Sequence, residues 1–150
     1  MFGRIQKSAH VRVWADVPEL AIPENPAIFC DANDLWLAYE TTAEPRGENC
    51  AIVRFYHVID HRLSPINDEG LGQHHHASAG LKFYSFNEII DSAETHKWSA
   101  LQARYWVITF KDVTLDVIAQ SVTVIRDRVP GVRPAQALLS VVATDCKAQI

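Results

Sequence analysis

Five of the chain's seven histidines (His57, His61, His74, His75 and His76) fall within twenty residues, interleaved with Asp60, Asn67, Asp68 and Glu69. Imidazoles and carboxylates gathered this densely can bind a metal, move a proton or grip a polar ligand. With Gln73 to Ala77 extended, His74 and His76 point to one side of the chain and His75 to the other. Two imidazoles on one face, completed by a carboxylate from Asp60, Asp68 or Glu69, make a facial triad or an open zinc site. The sharpest version is a metal-assisted hydrolase. His61, His74 and Asp68 ligate a divalent metal there, and Glu69 is the general base that activates a bound water. Against it, the chain has neither H-E-x-x-H nor paired C-x-x-C motifs, and a triple histidine in a polar stretch also reads as a solvated loop.

The neighbouring residues carry a plain reading beside the chemical one. His57 falls on the side of Val53 and Phe55 if Cys50 to Ile59 is a strand, which makes it a core or rim residue. Asp60, His61 and Arg62 follow where that strand is expected to leave the sheet. There they form either a polar pocket or an exposed ion pair, and exposed pairs contribute little. Asn67-Asp68-Glu69-Gly70 has the composition of a tight turn, and it becomes a site only if its carboxylates converge on His61 or His74. No G-x-S-x-G and no recognisable cysteine motif marks a nucleophile. Gly70-Leu71-Gly72 lacks the third glycine, the lysine and the helix of a phosphate loop. Trp36, Tyr39, Phe55, Trp106 and Phe110 could line an apolar cavity, but core packing is their simpler role.

These residues need a scaffold, and the composition allows one. With 150 residues, 48% hydrophobic and 21% charged, the chain reads as a single domain, 1–150, with a core of ordinary size. A formal charge of -4 and 14 scattered basic residues give no footprint for nucleic acid. Arg126, Arg128 and Arg133 come nearest, and Asp127 dilutes them. No apolar run approaches the roughly 20 residues of a membrane span. Met1 to His10 holds Arg4 and Lys7 but no apolar stretch after them, which predicts a cytoplasmic protein. Cys30, Cys50 and Cys146 fit reduced thiols, with Cys30 and Cys50 expected in the core.

Turn signals at Pro23–Pro26, Asp31–Asp34, Glu44–Asn49, Ser64–Gly72 and Pro130–Pro134 divide the chain. Val11 to Trp14 predicts an edge strand. Ala27–Cys30 and Leu35–Thr42 predict a hairpin turning through Asp31–Asp34, and Cys50–Ile59 a long strand. A second hairpin joins Tyr105–Phe110 to Val113–Ile125 through Lys111-Asp112. That register pairs Phe110 with Val113, Ile108 with Leu115 and Trp106 with Val117 on an apolar face, leaving Tyr105, Thr109, Thr114 and Asp116 on the other. Asp91 and Glu94 read as a capping box opening a surface helix from Ser92 to Ala103. Pro134 suits the first position of another helix, whose Leu138, Val141 and Val142 should cover the sheet. The sum is an α+β fold: a curved antiparallel sheet, barrel- or sandwich-like, with two short helices.

Two blocks carry a resemblance. His61-Arg62-Leu63-Ser64-Pro65-Ile66-Asn67-Asp68-Glu69, followed by His74 and Gly80-Leu81, looks like one block of a bacterial family of uncharacterised small proteins. Tyr105 to Asp116 is similar to its second block, in which a strand enters a His-Asp-Ser/Thr turn followed by Phe-Glu. The match covers about a third of the chain. Lys111 stands where the family usually has histidine, Asp116 where it usually has glutamate, and His75 and His76 replace an apolar pair. The resemblance implies that His61, Asn67, Asp68, Glu69, His74 and Asp116 matter, without assigning them a reaction.

The leading expectation is a cytoplasmic, non-catalytic binding or accessory module. Its polar loop from His61 to His74 would hold a small-molecule ligand or a partner protein through His61, Arg62, Asn67, Asp68 and Asp116. The metal-assisted hydrolase, with its divalent cofactor, is one alternative. The other is a structural subunit of a homo-oligomer, in which the run Val117–Ile125, guarded only by Gln120, pairs edge to edge in a homodimer.

Overall fold

A computed structural model describes residues 8–21 and 25–147. Expectations placed on Arg4, Lys7, Pro23 and the Cys146 thiol lie outside the described residues. Seven strands form one antiparallel sheet: β1 (His10–Val13), β2 (Ala27–Cys30), β3 (Leu35–Glu40), β4 (Asn49–Ser64), β5 (Phe86–Ile90), β6 (Arg104–Thr109) and β7 (Thr114–Pro130). Their order is β1-β5-β6-β7-β4-β3-β2, so β1 and β2 are the two edges. Tyr39 on β3 and Phe86 on β5 have ring centroids 5.5 Å apart although three strands separate them in that order. The sheet is therefore strongly curled, yet β1 and β2 do not pair and it stays open.

The curl follows from where the apolar side chains fall. Leu35, Leu37, Val53, Phe55, Trp106, Ile108, Leu115 and Val117 alternate along their strands and meet inside the curl. Removing that much apolar area from water is the main stabilising term, at roughly 25 cal/mol per Å². The outer face is covered in two places. Helix α2 (Pro134–Lys147) lays Ala137, Leu138, Val141 and Val142 on Trp36, Ala38 and Ile52. Arg54 fastens that end: its guanidinium pairs with Asp34, bonds Asp145 of α2 at 2.7 Å and stacks on Trp36 at 4.5 Å. Farther along the same face, Tyr105, Val107, Ile89 and Ile118 are covered by Trp98 and Leu81. They belong to the segment holding helix α1 (Ala93–Lys97) and short 3-10 turns at Leu71–Gln73, Ala77–Ala79 and Ser99–Leu101.

The β6–β7 hairpin has the expected register, with Ile108 opposite Leu115 and Trp106 opposite Val117. Several expectations need correction. β4 does not end at Ile59. It runs on to Ser64 because His61, Arg62 and Leu63 pair with Val117, Asp116 and Leu115. The polar composition of this stretch hid a ladder that β7 is long enough to supply. β5 was missed: Asn87 and Glu88 break the apolar pattern, and both are buried with partners of their own. The capping residue of α1 is Ser92, whose hydroxyl accepts from the Thr95 amide, and the α-helix stops after five residues instead of reaching Ala103. Asp91 sits in the left-handed region (φ 58°). Of the two helices only α1 is short, since α2 has 14 residues. Cys30 is exposed, because β2 is an edge. Finally, β7 pairs with β4 over most of its length and with β6 as far as Ala119. Only the part of Val117–Ile125 beyond Ala119 lacks β6 beside it.

Candidate functional site

The longer β4 gives the site its floor. Antiparallel partners project to the same side of a sheet, and Asp60, Arg62 and Ser64 stand opposite Ile118, Asp116 and Thr114. Tyr105 comes from β6. Above this floor lies a hollow of about 420 Å³, walled by Ile66, Gln73, His74, His75 and Glu94, with His61 also on its lining. His74–His76 is not extended. It is folded between two 3-10 turns, with His74 N–H donating to Leu71 O at 3.1 Å and Ala77 N–H to His74 O at 2.9 Å. The fold of this turn brings all three rings together, with centroids 4.7 Å apart for His74–His75 and 4.2 Å for His75–His76.

The three adjacent histidines have different fates. His74 is buried at 5% exposure. Its Nε2 lies 3.0 and 2.9 Å from the two Asp116 oxygens, and its Nδ1 accepts the His76 backbone N–H at 3.0 Å. A nitrogen that accepts carries no proton, so the ring is the Nε2–H tautomer and Nε2 donates to Asp116. Tyr105 Oη donates to the same carboxylate at 2.7 Å. Burial, then the charge of Asp116, drives the Tyr105 phenol far above its ordinary value, so it stays a donor. Every polar atom of this His74–Asp116–Tyr105 set is engaged, and it ties the turn to β7 and β6.

His75 and His76 instead meet Glu94 in the first turn of α1. His75 Nε2 lies 3.0 Å from Oε1, and His76 Nε2 lies 3.0 Å from both Oε1 and Oε2. Burial alone would raise the Glu94 carboxyl, but the hydrogen bonds from His75, its own amide and His76 prevail and hold it down at about 2. No partner of either Nδ1 is found among the described residues. Among the described residues, two groups each bring their ligand-type atoms within 4.8 Å of one another: His74, His75 and Asp116, and His75, His76 and Glu94.

Of the residues nominated from sequence, His61, Arg62, His74 and Asp116 come together on the hollow, and Asp60 joins them. Asn67, Asp68 and Glu69 do not. Asn67 Oδ1 accepts the Gly70 amide at 2.7 Å and closes the turn. Asp68 accepts the Tyr84 hydroxyl at 2.6 Å and the Glu69 amide at 2.8 Å, and its own N–H is held by Lys111 O. The Tyr84 bond, against a small desolvation cost, keeps the Asp68 carboxyl below its ordinary value. The acidic turn is thus tied to the Tyr84 and Lys111 loops. The ligand set His61–His74–Asp68 is not assembled, and Glu69, exposed beside Asp68, is not on the hollow. His57 is exposed at a positive φ of 52°, neither core nor site. Sequence reading missed Glu94 and Tyr105 as site residues. Glu94 was read only as a helix cap, and nothing local signals a contact across eighteen residues. Compared with family models, with curated proteins and with solved structures, the chain matches none.

Proposed function

We propose that the protein is a binding module rather than a catalyst, and that its ligand is a small polar molecule or ion held in the hollow beside β4 and β7. The observation that carries this reading is the division of labour among the lining groups. His74, Asp116 and Tyr105 spend their hydrogen bonds on one another, while the side chains of Asp60 and Arg62, on the same face of β4, stand at the hollow with no bonded partner among the described residues. Catalysis by a general base needs a nitrogen or carboxylate free to take a proton from the substrate. The His74 imidazole has neither nitrogen free for that task, and the Ser64 hydroxyl is turned to Thr114 O, so neither of these two groups is poised as base or nucleophile. Three carboxylates (Asp60, Glu94 and Asp116) against one guanidinium make a field that favours a cationic group. The hydrolase built on His61, His74 and Asp68 loses its support with the departure of Asp68 and Glu69. An exposed thiol at Cys30 suits the reducing cytoplasm proposed as its location.

A thermal-shift series in chelator-treated buffer, with putrescine, glycine and succinate as probes, tests this reading. Putrescine should stabilise the wild-type chain most and Asp60→Asn should remove the effect. Saturation at about 100 times Kd adds about 2.7 kcal/mol. Equal response to all three probes, or a response indifferent to Asp60→Asn, would remove the hollow as the binding site.

A further inference from the structure

Resting on the hollow as a ligand site, we infer that its rim binds a divalent transition metal of the zinc class through His75 Nε2, His76 Nε2 and the Glu94 carboxylate, leaving an open coordination position. Histidine and carboxylate donors suit such ions, and two imidazoles plus one carboxylate is a set that keeps a fourth position for water or ligand.

Geometry selects this group over its neighbour. Ligands at roughly 2.0–2.2 Å around a tetrahedral ion stand about 3.3–3.6 Å from each other. Both Nε2 atoms lie 3.0 Å from Glu94 oxygens, so a few tenths of an ångström of opening admits the ion. The three donor atoms already lie within 4.8 Å of one another. Metal coordination through Nε2 requires the lone pair there and the ring proton on Nδ1. His75 and His76 can shift the proton, since neither Nδ1 is committed to a described residue. His74 cannot: its Nδ1 faces the His76 N–H at 3.0 Å, and a proton on it would oppose another donor. The His74–His75–Asp116 group therefore fails on tautomer although its donors are equally close.

The surroundings supply the rest. His76 is held edge-on against Tyr105, centroids 5.4 Å apart, and its side chain is only 13% exposed. His75 stacks on the locked His74 ring. Two ligands thus lean on a rigid platform, as preorganised sites require. His75 and Glu94 also line the hollow, so a bound ion at this rim shares it with Asp60 and Arg62, which have no bonded partner among the described residues.

The test is titration of the full chain, stripped of metal, with Co²⁺ followed by its visible d–d absorption, and with Zn²⁺ by competition against a chromophoric chelator. One equivalent of Co²⁺ should give the intense band of a four-coordinate N/O site. Glu94→Gln and His76→Ala should weaken Zn²⁺ binding at least roughly 100-fold, since loss of mere supporting contacts costs 10–100-fold. Asp68→Asn and His96→Gln should keep wild-type affinity. Near-UV circular dichroism confirms that each variant is folded, and Glu94→Asp, which keeps a carboxylate, should recover part of the affinity. An unchanged affinity in folded Glu94→Gln, or a loss in Asp68→Asn, overturns the assignment. So does the absence of a cobalt band in the wild-type chain. A putrescine response that survives any of these results leaves the hollow itself standing and removes only the metal.

Discussion

His74 and its two successors are consecutive in sequence and share one turn, yet they do opposite things. His74 is buried and spends both ring nitrogens, on Asp116 and on the His76 amide. His75 and His76 each spend one nitrogen, on a carboxylate that reaches them from another element. The first arrangement is a structural staple between the turn and β7. The second is a set of donors with protons free to move. Residue type does not distinguish them; the count of satisfied atoms does. A buried polar group with all partners made rigidifies its surroundings, whereas one with spare capacity at a cavity rim is available to a ligand.

Breaking the staple should have the largest effect. His74→Ala leaves a void and deprives Asp116 of its charged hydrogen bond, so it should cost about 3 kcal/mol in urea denaturation. Tyr105→Phe removes one bond to the same carboxylate and should cost about 1–2 kcal/mol.

A locked carboxylate that does not line the hollow sharpens the contrast through pH. Glu88 is buried, and although burial raises its carboxyl, bonds from Arg104 at 2.8 and 2.9 Å and from Arg12 at 2.6 Å hold it below the ordinary 4.5. A value depressed in the folded state means that the stabilisation is complete above about pH 4.5 and is lost as pH falls below it. Denaturation midpoints from pH 6 down to pH 3 should fall in the wild-type chain and fall less steeply in Glu88→Gln. The smallest stability effect belongs to His75→Ala, within about 0.5 kcal/mol because that ring is mostly exposed. Its cost should appear in ligand affinity instead.

Much of the scaffold under this comparison was legible beforehand. Alternation from Tyr105 to Phe110 and from Val113 onward fixed the β6–β7 register, and the polar side of that hairpin, with Tyr105 and Asp116, turned out to be part of the floor of the hollow. His61, Arg62, His74 and Asp116, nominated by residue type and by the resemblance, line the hollow. The acidic turn lies near the histidines in sequence but not in space. Asp68 finds Tyr84, a residue of a different loop, and no periodicity announces that contact. Glu94 was hidden by its local role in the first turn of α1, and β5 by two buried polar side chains whose partners lie on other strands.

Imidazole nitrogens report the central contrast most directly, through long-range ¹H–¹⁵N correlation of the histidine side chains before and after one equivalent of Zn²⁺. His74 should show a protonated Nε2 and an acceptor Nδ1 in both spectra, while the Nε2 resonances of His75 and His76 move to metal-bound values. A metal-shifted Nε2 on His74, with His75 and His76 unmoved, would contradict the division on which this account stands.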